Sequence, residues 1–219
     1  MSYRILKRGE SRSFPVVHAF TQGATEAGAG IFLTGTEAGR SFAELRAAEA
    51  FEFIAIELGT ECLGVHTGEH RGEEGGNVVG FARFRLGEAE PTKLVELVKQ
   101  PRTSPHALAA AKTALEASGL VVALCNDFPG RIVDRLVRPY YNAALRRLDE
   151  KLASAEDLDM TLKLGLGYPE GPIALLERTG LAHHYDVTQA LYEALGQEAY
   201  APARRAQVAK MRSGRKANE

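Results

Sequence analysis

Leu120-Val121-Val122-Ala123-Leu124-Cys125, Asn126-Asp127-Phe128-Pro129-Gly130 and Arg131-Ile132-Val133-Asp134-Arg135-Leu136-Val137 follow one another without a gap, and their junction decides the fold. The first run is apolar and short, as in a buried strand. The second, with Asn, Asp, Pro and Gly together, is a turn. From Arg131 to Ala153, Ile132, Val133, Leu136, Val137, Tyr140, Tyr141, Ala144, Leu145, Leu148 and Leu152 recur at helical spacing. So wide an apolar stripe predicts a helix at the centre of a bundle, kinked where Pro139 removes a backbone donor. A sheet-containing part therefore ends near residue 125 and a helical part begins at 126.

Working outward, the helical signals continue on the C-terminal side. Ser154 predicts a cap for a helix over 155–164, which Gly165 to Pro172 breaks; helices over 173–179 and 181–195 follow, and the tail from Ser213 is polar. On the N-terminal side, Ser104-Pro105 opens a helix that Gly119 ends. Before it, 14–20, 30–35, 51–58, 62–66 and 78–86 read as strands. Ser41 with Glu44 predicts a capping box for a helix over 41–50. No internal repeat is visible.

The 219 residues are 45% hydrophobic and 25% charged with a formal net charge of −1, so a globular chain is expected and the broad phosphate attraction of a nucleic-acid binder is not. No apolar run approaches the ~20 residues of a membrane span, and no signal-peptide pattern is seen. Cys62 and Cys125 form neither a metal spacing nor a disulfide framework, which points to a reducing cytoplasm.

Three segments carry a resemblance. Lys93-Leu94-Val95-Glu96-Leu97-Val98-Lys99, the run Asn126 to Leu136, and Leu164-Gly165-Leu166-Gly167-Tyr168-Pro169-Glu170-Gly171-Pro172 resemble the L-3-hydroxyacyl-CoA dehydrogenase family, in its order and near its spacing. Ala153 to Asp159 and Gly214-Arg215-Lys216 also fit, so the likeness covers roughly residues 78–216. It implies an α/β plus all-α fold: a shortened Rossmann-like sheet domain over 1–125, then a helical dimerisation and substrate domain over 126–219. It also implies a homodimer and NAD-dependent oxidation of a 3-hydroxyacyl-CoA to a 3-ketoacyl-CoA.

The site residues depart from the family pattern. A dinucleotide site needs a tight glycine turn running into a helix N-terminus. The best candidate, Val16 to Phe20 followed by Thr21 to Gly30, lacks the glycine spacing. A crossover needs about ten to twelve residues, most of them helical, whereas this connection carries Gly23, Gly28 and Gly30 with one acid, Glu26, and cannot make a stable dipole-bearing helix. No bound cofactor is expected. Where family members place an Asn-Thr-Ser run, the resemblance sets Gly35-Thr36-Glu37, with Glu37 at the serine position; its charge would repel a developing oxyanion.

The family's catalytic His, a general base near neutral pKa, maps to Ala82, and its partner Glu to Glu96. A competing threading sets 53–57 on the same strand, with Glu57 at the His position; the first stays beside the well-matched Lys93 segment and is preferred. The family's substrate-binding Asn maps to Asp134, which as a residue on a helix face would pair with Arg138. The resemblance thus predicts a silent homologue that keeps the dimer bundle and binds an acyl-CoA or small carboxylate. The alternative is an active dehydrogenase using NAD, with Glu57 or His66 as base.

Other candidates point to bland roles. His66, Glu69, His70, Glu73 and Glu74 could suggest zinc on a helix, but Gly64, Gly68 and Gly72 predict a solvated loop without metal. His183 and His184 face different sides of a helix, one of them buried with a partner. Arg83 and Arg85 alternate with Phe81 and Phe84 as a solvent-facing stripe, although they could meet a CoA phosphate.

Overall fold

The computed structural model describes residues 2–68 and 76–216, so Glu69, His70, Glu73 and Glu74 lie outside the described residues. The chain forms two compact units: Met1–Arg85 with Pro91–Ile132, and Leu86–Glu90 with Val133–Glu219. A Rossmann-like, mostly parallel six-stranded sheet makes the first and helices make the second.

The sheet unit carries strands β1 (Tyr3–Lys7), β2 (Gly30–Thr34), β3 (Ile54–Glu57), β4 (Val78–Arg83), β5 (Leu94–Lys99) and β6 (Val121–Asn126), adjacent in that order. The first four run parallel, β4 and β5 are antiparallel, and β5 and β6 are parallel again. Every residue of β2 and β3 is buried, as expected for central strands covered on both faces. On one face Phe14, Phe20, Phe32, Phe53 and Phe81 pack with Ala107, Ala110, Ala111, Ala114 and Leu115. The other face buries Ile31, Leu33, Ile54, Ile56 and Val98 against Ala38 and Leu63.

Helices α1 (Ala19–Gln22), α2 (Ala38–Ala43), α3 (Gly64–Thr67) and α4 (Pro105–Glu116) connect the strands. Only α4 is long, and it begins as read: the Ser104 hydroxyl accepts from Ala107 N, with Pro105 in the first turn.

Several expectations are corrected. The first strand is Tyr3–Lys7, hidden because its charged flanks sit on a sheet edge. The 14–20 segment is loop and one helical turn; Phe14 and Phe20 stack at 4.5 Å in the core, so its apolar alternation reports burial rather than pleat. The 62–66 segment is the helical turn α3, held by the Asp127 carboxylate on Leu63 N (2.6 Å) and Gly64 N (2.8 Å). Ser41 lies inside α2 rather than capping it, and Glu44 pairs with Arg8 and Arg40 instead of completing a box. β6 is an edge strand whose Val121 and Leu124 are exposed, not a buried one.

The helical unit contains α5 (Val133–Asp149), α6 (Ala155–Leu166), α7 (Pro172–Thr179), α8 (Leu181–Leu195) and α9 (Arg204–Lys216). Ser154 caps α6 by accepting from Asp157 N. The Asp159 carboxylate holds Ile173 N and Ala174 N, both at 2.9 Å, so the motif around Pro172 is a helix start fastened by a neighbouring helix.

The apolar stripe of α5 is not its buried face. Asp134, Arg138, Asn142 and Leu145 are buried, whereas Leu136 is 69% exposed. Polar groups satisfied by one another form the seam. Arg138 Nε donates to Asp134 (2.7 Å) and its Nη1 meets His184 Nδ1 (3.1 Å). Because a guanidinium only donates, His184 carries its proton on Nε2, which faces Asn142 Oδ1 at 2.9 Å; Asn142 Nδ2 donates to the Ala199 carbonyl. α9 lacks an apolar repeat strong enough to be read, although Ala203 and Ala206 are buried in the unit's core. Among the described residues no helix is long and apolar enough to cross a membrane.

Candidate functional site

The antiparallel β4–β5 pair sets the first station. Register puts Ala82 directly opposite Glu96. Glu96 is buried; its carboxylate accepts from Arg131 Nε (3.3 Å) and from Ile132 N (2.8 Å). Arg131 is itself buried, has a left-handed backbone (φ 52°) and keeps an Nη1 with no hydrogen-bond partner among the described residues. A non-glycine residue in that region stores strain. The neighbouring Cys125 thiol is pushed up to about 11, chiefly by burial and then by the Glu96 charge. It is therefore a neutral packing group at pH 7.

The strand lying against β5 is Val78–Arg83, while 54–57 forms β3, one strand further in. Glu57 therefore does not face Glu96. Its buried carboxylate is fully engaged: Ser11 Oγ donates at 3.0 Å, Ser13 N at 2.7 Å and Gly35 N at 2.6 Å. It ties the loop after β1 to the loop after β2. The Glu57 carboxylate is therefore an internal acceptor that fixes two loops, not a group standing free beside Glu96.

The same loops border a small cleft of about 210 Å³ at the carboxyl ends of β2 and β3, lined by Glu10, Arg12, Thr36, Glu57, Glu61 and His66 among others. Open α/β sheets hold ligands in this region. His66 Nε2 lies 3.4 Å from Glu61 Oε1, which also accepts from Gly59 N. The Glu61 carboxyl lies below its usual range: hydrogen bonds from His66 and Gly59 outweigh the opposing effect of burial, the largest single influence on it. The imidazole packs edge-on against Gly39, where a Cβ would come within 2.3 Å of it.

A dinucleotide does not fit this cradle. Ser13 N and Gly35 N, the backbone donors at the strand ends that could face a phosphate, already face Glu57. The helix after β1 has four residues, too short for an appreciable N-terminal dipole. Three carboxylates line the cleft against one arginine.

The remaining site residues fall elsewhere. Glu37 stands at the N-terminus of α2, 3.7 Å from Arg40. Asp134 belongs to the buried seam of the helical unit and pairs with Arg138. Arg83 donates to the carbonyls of Ser13, Pro91 and Thr92 and stacks over Phe14, which makes it a loop clamp rather than part of a solvent-facing stripe. His184 is the buried member of its pair, and His183 meets Glu88 at 3.2 Å. Among the described residues no group of three or more His, Cys, Asp or Glu could hold a metal. Arg131 and the Glu57 tie were missed by reading the sequence: both depend on chain reversals that no periodicity announces.

Residues 130–219 match the family described as 3-hydroxyacyl-CoA dehydrogenase, C-terminal domain. The mitochondrial hydroxyacyl-coenzyme A dehydrogenase of Homo sapiens is 44% identical over 89 residues, 41% of this chain and 28% of that protein. A probable 3-hydroxybutyryl-CoA dehydrogenase of Deinococcus radiodurans is 32% identical over 111 residues, 51% of this chain and 40% of that protein. The matched stretches thus span well under half the length of these relatives. In fold, the 3-hydroxybutyryl-CoA dehydrogenase structure from Escherichia coli K12 superposes with a TM-score of 0.69 at 24% identity, covering 89% of this chain and 40% of that one. The (S)-3-hydroxybutyryl-CoA dehydrogenase from Ralstonia eutropha gives 0.67 at 24%, covering 83% and 65%.

Proposed function

Since the chain belongs to the L-3-hydroxyacyl-CoA dehydrogenase family, we propose that it is a catalytically silent member that binds an acyl-CoA or small carboxylate without oxidising it. One observation carries this reading: the Glu96 carboxylate is held by the Arg131 guanidinium and a backbone N–H, with an alanine methyl across from it. Oxidation of a hydroxyl needs a group that accepts its proton. A guanidinium only donates hydrogen bonds and so cannot, and a methyl cannot. Within the helical unit, Asp134, at the position the resemblance gives to a substrate-binding Asn, is committed to Arg138 and offers no amide donor. The Glu57-filled loops supply no phosphate cradle for NAD.

The test is spectrophotometric: NADH consumption with a short 3-ketoacyl-CoA should stay at background. Turnover within a hundredfold of an ordinary family member would overturn the reading. The active alternative draws its support from the His66–Glu61 pair in the strand-end cleft. If turnover is seen and His66→Ala abolishes it, that alternative stands.

The chain acts as a homodimer in this proposal. α6 buries none of its residues, and Leu152, Met160, Leu164 (81% exposed) and Leu166 are exposed apolar groups on the helical unit. Exposed apolar area of this kind marks association surfaces. Light scattering at micromolar concentration should give twice the 23.7 kDa chain mass, and Leu164→Glu should return it to the monomer value. A monomeric wild-type chain would remove this part of the proposal.

A further inference from the structure

We propose a separate binding site on the helical unit: a groove of about 370 Å³ along α9 that takes a small phosphate monoester with an apolar tail. Its floor is Leu181, Val208 and Ala209, and its rim is Arg204, Arg205 and Arg212. The site shares no residue with the Glu96 station or the strand-end cleft, so it does not depend on whether the chain oxidises anything.

The sequence of α9, Arg-Arg-Ala-Gln-Val-Ala-Lys-Met-Arg-Ser-Gly-Arg-Lys, contains no acidic residue, so its cations cannot be neutralised within the helix. Two find carboxylates on other helices: Arg205 Nε donates to Asp149 at 2.7 Å, and Lys210 Nζ meets Asp186 at 2.7 Å. Arg204 and Arg212 make no ion pair or hydrogen bond among the described residues. Positions 204, 208 and 212 recur every four residues, so the two free guanidiniums flank Val208 on one face, with Cα atoms about 12 Å apart. Arginine side chains are long enough to converge over that floor.

This combination selects a ligand class. A phosphate monoester carries about −1.5 to −2 charge at pH 7 and can neutralise both guanidiniums with one group, each through forked hydrogen bonds. A carboxylate supplies only a single negative charge. The exposed Val208 and the flanking Leu181 and Ala209 then cover an alkyl tail. An anionic bilayer fits less well, because Asp149 and Asp186 hold Arg205 and Lys210 and would face its headgroups.

Calorimetric titration of the full chain with hexyl phosphate should give saturable binding at one site per chain. Inorganic phosphate and hexanoate should each bind more weakly. The Arg204→Ala/Arg212→Ala variant, checked for helix content by circular dichroism, should lose roughly tenfold or more in affinity, whereas Lys210→Ala should keep it. The proposal is overturned by absent or unsaturable hexyl phosphate binding, or by equal affinity in the double variant. It is also overturned if only phosphatidylglycerol vesicles bind in an Arg204/Arg212-dependent way. A flat titration in which the double substitution changes the molecular mass would assign the groove to a second copy instead.

Discussion

Lowering the pH from 7 to 4 destabilises the helical unit by about 3 kcal/mol, read as a fall in the urea midpoint of its far-ultraviolet dichroism. The cause is His184, pushed down to about 3, first by burial and then by the Arg138 charge beside it. A second proton would have to enter at Nδ1, beside the Arg138 guanidinium. Nδ1 accepts from Arg138, Nε2 is committed to Asn142, and Tyr141 lies against the ring. In the unfolded chain the imidazole titrates near its ordinary 6.5. Between those two values the unfolded state binds a proton that the native state refuses, so stability rises with pH across that window. The contribution is complete above about 6.5 and is lost progressively as the pH falls toward 3. His184→Gln, weaker at neutral pH, should show a flatter dependence from pH 6.5 to 4. An unchanged slope in that variant would mean that another group carries the acid sensitivity.

The same histidine shows what could be read in advance. Adjacent residues on a helix point to different faces, so one member of His183–His184 had to be buried and partnered. Its partners could not be found, because Arg138 and Asn142 sit on α5, far away in sequence and brought to it by packing. Local chemistry was legible at two caps: Ser104-Pro105 and Ser154 mark their helices correctly because a side-chain oxygen and a backbone N–H three residues on suffice, whereas the His18 cap of α1 and the absence of a Ser41 cap were not legible. The α5 stripe misled because apolar spacing cannot say which of two possible faces is buried. Here mutual pairing of Asp134, Arg138 and Asn142 with His184 satisfied the polar face internally and left Leu136 in water. At the candidate site, Ala82 lies across from Glu96 in the β4–β5 register, whereas the Arg131 contact to Glu96 rests on a left-handed turn at a non-glycine residue. Nothing in the residue type signals that conformation.

Replacing Glu57 with Ala should cost the sheet unit about 3 kcal/mol, because three donors lose a charged acceptor and two of them are backbone N–H groups. Amide exchange at Ser13 and Gly35 is the local readout; both should speed up while amides in β5 change less. Glu57→Gln, which keeps one carbonyl acceptor, should lose about half as much and guards against outright unfolding. Neither variant should gain affinity for NAD. The reason is geometric as well as electrostatic: removing the carboxylate frees donors, but the helix that follows β1 still has only four residues. The connection that could have carried a longer helix is instead occupied by Phe14 and Phe20, whose rings fill the core beside Phe32 and Phe81. The aromatic packing on this side of the sheet thus takes the place that a longer helix would occupy, and the internal Glu57 carboxylate ties the loops on either side. Tight NAD binding by Glu57→Ala, with Ser13 and Gly35 amides protected by the nucleotide, would show that the cradle is merely blocked rather than dismantled.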